Sequence, residues 1–198
     1  SFPTRRSSDL GFEVDPETST VTVDEEGNVV SSNIESKDSS ITFTGHHGAL
    51  HSTVVAPFIK TSGNKAHLGS GYEVYHVEGK NMLQYTEDDH IDANKRTGDG
   101  IFGHGTAQWT KEGDTLTLSA SDVRYKEQQG TRNGKVEGVD QLFMGMYSSE
   151  NKPELDDAHL TLKVSSGCGQ KKEEMPQDQE KPQNEPAPEP PVASPEKE

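Results

Sequence analysis

Residues 105–125 read GTAQWTKEGDTLTLSASDVRY, and the alternation in this stretch determines the expected fold class. The segment TLTLSA (115–120) places Leu116, Leu118 and Ala120 on one face and hydroxyl side chains on the other. The flanking segments GTAQW (105–109) and DVRY (122–125) alternate in the same way. Because successive side chains of a β-strand point to opposite faces, a period of two predicts strands with one buried face.

The rest of the central region also favours an all-β fold. AHLTLKV (158–164) alternates like the first stretch, and Gly, Asn and Asp interrupt the alternation at many points. Long windows with apolar residues at helical spacing are absent unless they include a Gly or Pro. We therefore predict many short antiparallel strands, arranged as a β-jelly-roll or as a folded-over sheet.

A weak internal repeat accompanies this pattern. VEGKNMLQYTEDD (77–89) aligns with IFGHGTAQWTKEGD (101–114), matching Gly79 to Gly103 and Tyr85 to Trp109. Further copies are expected at ITFTGHHGALH (41–51) and GKVEGVDQLFM (134–144). The spacing varies, which favours a meander or jelly-roll-like stack over a strict solenoid. The alternative is that Gly simply separates the strands of an ordinary β-meander.

The two ends of the chain differ from residues 11–168. Residues 169–198 hold seven of the 11 prolines and few apolar side chains, which predicts a disordered acidic tail. Residues 1–10, SFPTRRSSDL, resemble a translated sequencing adapter, so we expect them to be an unstructured artefact that replaces the true start of the protein. The domain predicted from alternation is therefore 11–168.

Charge and composition exclude some classes of function. The formal net charge is -15; the first ten residues carry +1 and residues 169–198 carry -4, which leaves -12 for the domain. Such a protein repels nucleic acid, and no segment of it supplies a dense basic patch. Hydrophobic residues make up 28% of the chain, which indicates a thin or local core.

Residues that could carry chemistry are scattered. His46, His47 and His51 lie close together, but adjacent strand residues face opposite ways, so we expect exposed histidines and no metal site. Asp88, Asp89 and Asp92 could bind calcium, yet EF-hand spacing is absent. Motifs for hydrolases, phosphate loops and dinucleotide binding are missing from the sequence, so we expect a non-enzymatic protein without a cofactor.

The single cysteine, Cys168, stands in VSSGCGQ, where a small residue precedes it as in a lipoprotein cleavage box. The preceding AHLTLKVSS contains Lys163 and lacks a continuous apolar segment. We therefore expect an unpaired thiol beside the tail.

Residues 105–125 resemble the repeating unit of the organic-solvent-tolerance-protein-like family of periplasmic lipopolysaccharide-transport proteins. In that unit a Gly opens a strand, a Gly-Asp turn follows, and a strand of the form L-x-A-x-x-V-x-Y comes next. These roles are taken by Gly105, Gly113, Asp114, Leu118, Ala120, Val123 and Tyr125. NKAHLGSGYEVYHVEGKNMLQY (64–85) is similar to a preceding unit and GKVEGVDQLFM (134–144) to a following one, so the resemblance covers about residues 30–165. The usual acidic residue after the Ala is displaced by one position, to Asp122.

The resemblance implies a non-enzymatic periplasmic carrier or bridge component, which binds the acyl chains of lipopolysaccharide during its export to the outer membrane. Edge strands would pair with other transport proteins or with a second copy. The implied lipid-binding groove is lined by Val77, Leu83, Trp109, Leu116, Leu118, Val123, Tyr125 and Phe143. The same residues would suit an ordinary core, and the alternative function is that of a structural or adhesive β-repeat protein of the cell surface.

Overall fold

Strands dominate the computed structural model, which describes residues 11–126, 138–143 and 154–164. The strands are β1 (Thr20–Val23), β2 (Val29–Glu35), β3 (Ser40–Gly45), β4 (Leu50–Ser62), β5 (Lys65–Tyr75), β6 (Lys95–Glu112), β7 (Thr115–Tyr125) and β8 (Ala158–Lys163). Short 3₁₀ helices span His46–Gly48, Met82–Gln84, Glu87–Asp89, Asp92–Asn94 and Gly138–Phe143. The strands form one curled antiparallel sheet in the order β1-β2-β4-β5-β6-β7-β8, and β3 pairs with β4. The prediction of an all-β, folded-over sheet is confirmed.

Two similar hairpins form the centre of the sheet. The β4–β5 and β6–β7 hairpins both turn through two residues, since Ser62 pairs with Lys65 and Glu112 with Thr115. The first turn residue, Gly63 or Gly113, has a φ of 56° or 60°, which glycine adopts without steric cost. These turns fix the register of both hairpins.

A β-bulge near the end of β7 changes which residues face inward. Ser121 pairs with Thr106 and Arg124 with His104, so Asp122 and Val123 together oppose Gly105. Asp122 has a φ of 52°, the left-handed conformation found in many bulges. Because one extra residue reverses the alternation, the buried set shifts from even numbers before the bulge to odd numbers after it.

A second bulge divides β4 between two partners. Ala56, with a φ of 42°, and Pro57 interrupt the pairing of β4 with β5. On the other side, the part of β4 before the bulge pairs with β3 and the part after it with β2. Pro57 lacks a backbone N–H, and bulges are among the places where a sheet tolerates proline.

Glycines in the middle of β5 and β6 make room for side chains that lie over the strands. A Cβ on Gly69 would lie 2.3 Å from Cζ of Phe58, and one on Gly100 would lie 2.9 Å from Cγ1 of Val139. Both distances are too short for any real contact, so these positions require glycine. The pairs Gly98–Tyr72 and Gly103–Leu155 are related in the same way.

Apolar packing is concentrated on one side of the sheet, which we call the inner face and define by the β5 residues Ala66, Leu68, Ser70, Tyr72 and Val74. The first cluster comprises Ala66, Ala107, Leu118, Ala120 and Val123, packed with Ile59, Leu68, Trp109, Leu155, Ala158 and Leu160. The second comprises Val74, Val139 and Leu142 with Val54, Tyr72, Phe102 and Phe143, and the third Ala49 and Tyr85 with Leu50, Val77 and Met82. The core is thus divided into local clusters.

The structure corrects the predicted repeat. Residues 77–89, which were aligned with strand residues of β6, contain the 3₁₀ helices Met82–Gln84 and Glu87–Asp89. The repeating structure is instead the hairpin, whose second strand has 11 residues and ends at Tyr75 in one copy and Tyr125 in the other.

The predicted unit at 134–144 is also wrong where the structure describes it. Residues 138–143 form a 3₁₀ helix in place of a strand. Val139 and Leu142 lie three residues apart, so both face the sheet from one side of that helix. The predicted artefact at 1–10, the tail at 169–198 and Cys168 lie outside the described residues.

Candidate functional site

The residues predicted to line a lipid groove are distributed among different clusters. Trp109, Leu118 and Val123 belong to the first cluster, where Leu118 is 0% and Val123 2% exposed. Side chains so completely enclosed contact other side chains and present no surface to a ligand. These three residues form part of the packed wall of the sheet.

The other predicted residues are placed elsewhere. The rings of Tyr125 and Phe143 meet edge to face with centroids 4.9 Å apart, beside the second cluster. Val77 packs in the third cluster. Leu116 is buried on β7, and the side chain of Leu83 lies outside the described residues. The structure therefore brings Trp109, Leu118 and Val123 together in one cluster and Tyr125 and Phe143 together at another place, and a lipid-binding role for the set stays a prediction.

A groove of about 450 Å³ lies between the N-terminal segment and β8. This volume is within the range of small-molecule sites. A bridge between Val14 and Ser36 holds the N-terminal segment beside the end of β2. The groove is lined by Phe12, Glu13, Val14, Pro16, Lys37, His159, Leu160, Thr161, Leu162 and Lys163.

The groove adjoins two of the predicted residues. Leu160 pairs with Leu118 and Leu162 with Leu116, so the β8 leucines extend the apolar inner face of β7 to the edge of the sheet. Among the described strands, β8 pairs with β7 alone and leaves its other side without a strand partner. The groove is therefore a place where apolar side chains and free strand backbone occur together.

Charges border the groove at both sides. Lys37 Nζ donates a hydrogen bond to Glu13 Oε1 at 2.6 Å, and this contact raises the pKa of Lys37. Lys163 is exposed and has no ion pair within the described part of the chain. The groove consequently combines apolar side chains with polar ones, which include one paired and one unpaired lysine.

Hydrogen bonds hold Trp109 in place on the inner face. Its Nε1–H donates to Thr61 Oγ1 at 3.2 Å, and that oxygen lies 2.8 Å from Ser32 Oγ. A buried indole N–H normally requires such a partner. Ser32 and Thr61 are not recognisable from the sequence, because hydroxyl residues in amphipathic strands are usually expected on the outward face.

The three histidines considered as metal ligands, His46, His47 and His51, do not converge on one point. His46 and His47 are exposed, with φ values of 50° and 55° in a tight turn. The His51 ring instead meets Tyr75 edge to face and His90 at a tilt, with ring centroids 5.4 and 4.8 Å away. Burial lowers the pKa of His90, and the charge of His51 lowers it further.

Within the acidic segment at 86–92, Asp89 is held by local contacts. Lys80 Nζ donates to both carboxylate oxygens of Asp89, at 2.7 and 2.9 Å, and the Thr86 amide donates to Asp89 Oδ2. These contacts lower the pKa of Asp89. Across residues 11–126, 138–143 and 154–164, no three His, Cys, Asp or Glu side chains are arranged to hold a metal ion.

Comparisons with protein-family models, curated proteins and solved structures find no match for this chain. No helix in the described part of the chain is long and apolar enough to cross a membrane.

Proposed function

We propose that this protein is a non-enzymatic periplasmic carrier or bridge component that binds lipopolysaccharide acyl chains during export to the outer membrane. The observation that supports this proposal is the groove beside β8, whose apolar side chains continue those of the inner face. Binding of an acyl chain there would bury apolar surface, and each Å² removed from water contributes about 25 cal/mol of favourable free energy.

The charge at the groove suits an amphiphile with an anionic headgroup. Lys163 has no acidic partner in the described residues and lies at the same edge as Leu160 and Leu162. A phosphate held there could accept a hydrogen bond from the ammonium group while the acyl chain occupies the apolar lining. Both properties are needed to bind lipopolysaccharide.

The unpaired side of β8 offers a route for assembly. A strand edge exposes backbone N–H and C=O groups that another strand can satisfy. We propose that a second copy, or another lipopolysaccharide-transport protein, pairs with this edge and extends the groove into the next subunit.

Photo-crosslinking tests the carrier function. A benzophenone amino acid placed at Val14 or Leu160 should form an adduct with purified lipopolysaccharide. The same group at Thr110, which is exposed on the opposite side of β6, is the matched control and should form none. Failure to capture lipopolysaccharide at Val14, Leu160 and Leu162 would rule out the groove as a lipid carrier.

A structural or adhesive role at the cell surface is the second candidate. The observation that favours it is the complete burial of Leu118 and Val123, which makes the predicted interior a packed core. An adhesive module would bind a surface glycan or protein and give no adduct with lipopolysaccharide at Leu160.

A further inference from the structure

The strand register assembles four basic side chains into one row, although they are far apart in the sequence. Lys60 of β4 pairs with His67 of β5, His67 pairs with His104 of β6, and His104 pairs with Arg124 of β7. Cross-strand partners lie on the same face of a sheet, with adjacent strands about 4.8 Å apart. This basic row therefore crosses about 14 Å of the sheet.

The basic row lies on the outer face, opposite the apolar clusters. Its β5 member, His67, alternates with the inner-face residues Ala66 and Leu68. Lys60, His104 and Arg124 are exposed, and His67 is half-buried. Judged from the described residues, a ligand in solution can therefore reach the row.

Acidic side chains neutralise the row only weakly. Arg124 Nη2 lies 3.9 Å from Glu154 Oε1, and both side chains are largely exposed, so this pair contributes little. Glu35, on the neighbouring strand β2, accepts a hydrogen bond from Asn33. Lys60 and Arg124 stand at the two ends of the row and the imidazole rings of His67 and His104 lie between them.

Hydroxyl and aromatic groups border the basic row. The adjacent row comprises Ser62, Lys65, Thr106 and Ser121, which are paired in register. On the other side, the Phe58 ring lies over Gly69, with Lys60 Nζ 4.9 Å from its centroid. Hydroxyls can bond to sugar hydroxyls, and the negative face of an aromatic ring attracts the C–H groups of a sugar.

We propose that the basic row is a docking surface for a linear acidic polysaccharide. Negative groups repeated along such a chain match Lys60 and Arg124 at the two ends of the row and the imidazole N–H donors between them, and the bordering hydroxyls match its sugar hydroxyls. The net charge of -15 opposes a large polyanion such as duplex DNA, whereas a narrow polysaccharide can lie on the row alone. The inference does not rest on the proposed lipid carriage, since the groove is lined by different residues.

Binding of fluorescein-labelled polygalacturonate, measured by fluorescence anisotropy with the full chain, tests this inference. Neutral pullulan should not compete, and added NaCl should weaken binding through screening. The double variant K60A/R124A should bind about tenfold more weakly, because two exposed cations are lost. The matched control R96A/K111A removes an exposed Arg and an exposed Lys outside the row and should bind like the original protein.

A second variant tests the two central positions. H67A/H104A should weaken binding several-fold, because it removes two imidazole side chains that can donate hydrogen bonds to a carboxylate. The groups that face them are Lys60, Lys65 and Arg124, with Glu154 beside Arg124. The fluorescence of Trp109 checks that each variant is folded.

Several outcomes would overturn the proposal. One is equal weakening by K60A/R124A and R96A/K111A, which would show non-specific attraction. Others are an absence of polygalacturonate binding, or row-dependent binding of phosphatidylglycerol vesicles or duplex DNA in its place.

Discussion

The bulge in β7 makes Gly105 a position where a single added methyl group should destabilise the fold strongly. A Cβ there would lie 2.7 Å from the Ser121 carbonyl oxygen and 3.1 Å from Cγ2 of Val123. Ordinary contacts begin near 3.4 Å, so G105A requires the strands to separate locally. The pairs on either side, His104 with Arg124 and Thr106 with Ser121, resist that separation.

The free energy of unfolding should fall by about 2–4 kcal/mol in G105A. Overpacking a tight site costs about 1–3 kcal/mol. Loss of one ladder hydrogen bond adds about 1 kcal/mol. For a domain stable by about 5–15 kcal/mol, this is a substantial fraction of the total.

Urea unfolding followed by the fluorescence of Trp109, the single tryptophan, measures this effect. The midpoint should fall by about 1–2 M, given a typical urea dependence of about 2 kcal/mol per M. G11A, where a Cβ meets nothing within 4 Å, should leave the midpoint unchanged. In G113A the added methyl group meets open space, but the residue has a φ of 60°. The free energy of unfolding should therefore fall by about 1 kcal/mol from backbone strain alone. A G105A midpoint no lower than that of G113A would refute the steric account of the bulge.

Three further predictions concern buried polar groups. Ser70 is 0% exposed and its hydroxyl has no hydrogen-bond partner in the described residues, so S70A should stabilise the protein by about 1 kcal/mol in urea unfolding. T61V removes the acceptor of Trp109 Nε1–H, so the free energy of unfolding should fall by about 1–3 kcal/mol. T117V, on the outer face, should leave the free energy of unfolding nearly unchanged. Similar losses in both variants would contradict the role of this bond. Burial lowers the pKa of His90 in the folded protein below its value in the unfolded chain. The unfolded chain therefore binds the proton at a higher pH than the folded protein does. Stability should fall as the pH drops from about 7 toward the lower pKa of the folded state. H90F should reduce that loss in unfolding curves recorded between about pH 7 and 5, and an unchanged pH profile would argue against it.

Alternation predicted the strands that have one buried face. Leu116, Leu118 and Ala120 are buried on β7, as their period of two requires. Glycine does not mark the strand ends that the predicted repeat requires. In β6 the residues Gly100 and Gly103 lie within a continuous strand of 18 residues, where they clear space for Val139 and Leu155. Sequence spacing alone does not show which distant side chain will cover a glycine.

The candidate surfaces were harder to predict than the strands. The groove depends on the approach of Val14 to β8, and these segments are separated by almost the whole domain. The basic row depends on register, and the bulge at Asp122 decides whether Arg124 faces His104. A residue-level pattern identifies the face of each strand, but the neighbours across strands follow only from the bulges and turns.

The two-residue turns also bear on the order in which the protein folds. A tight hairpin brings together residues close in the chain, and such contacts form in about 1–10 μs. The pairing of β7 with β8 must wait for closure of the long connection from Tyr125 to Ala158, which costs more chain entropy. We therefore expect the β4–β5 and β6–β7 hairpins to form early and β8 to join last, so that the groove is completed only at the end of folding.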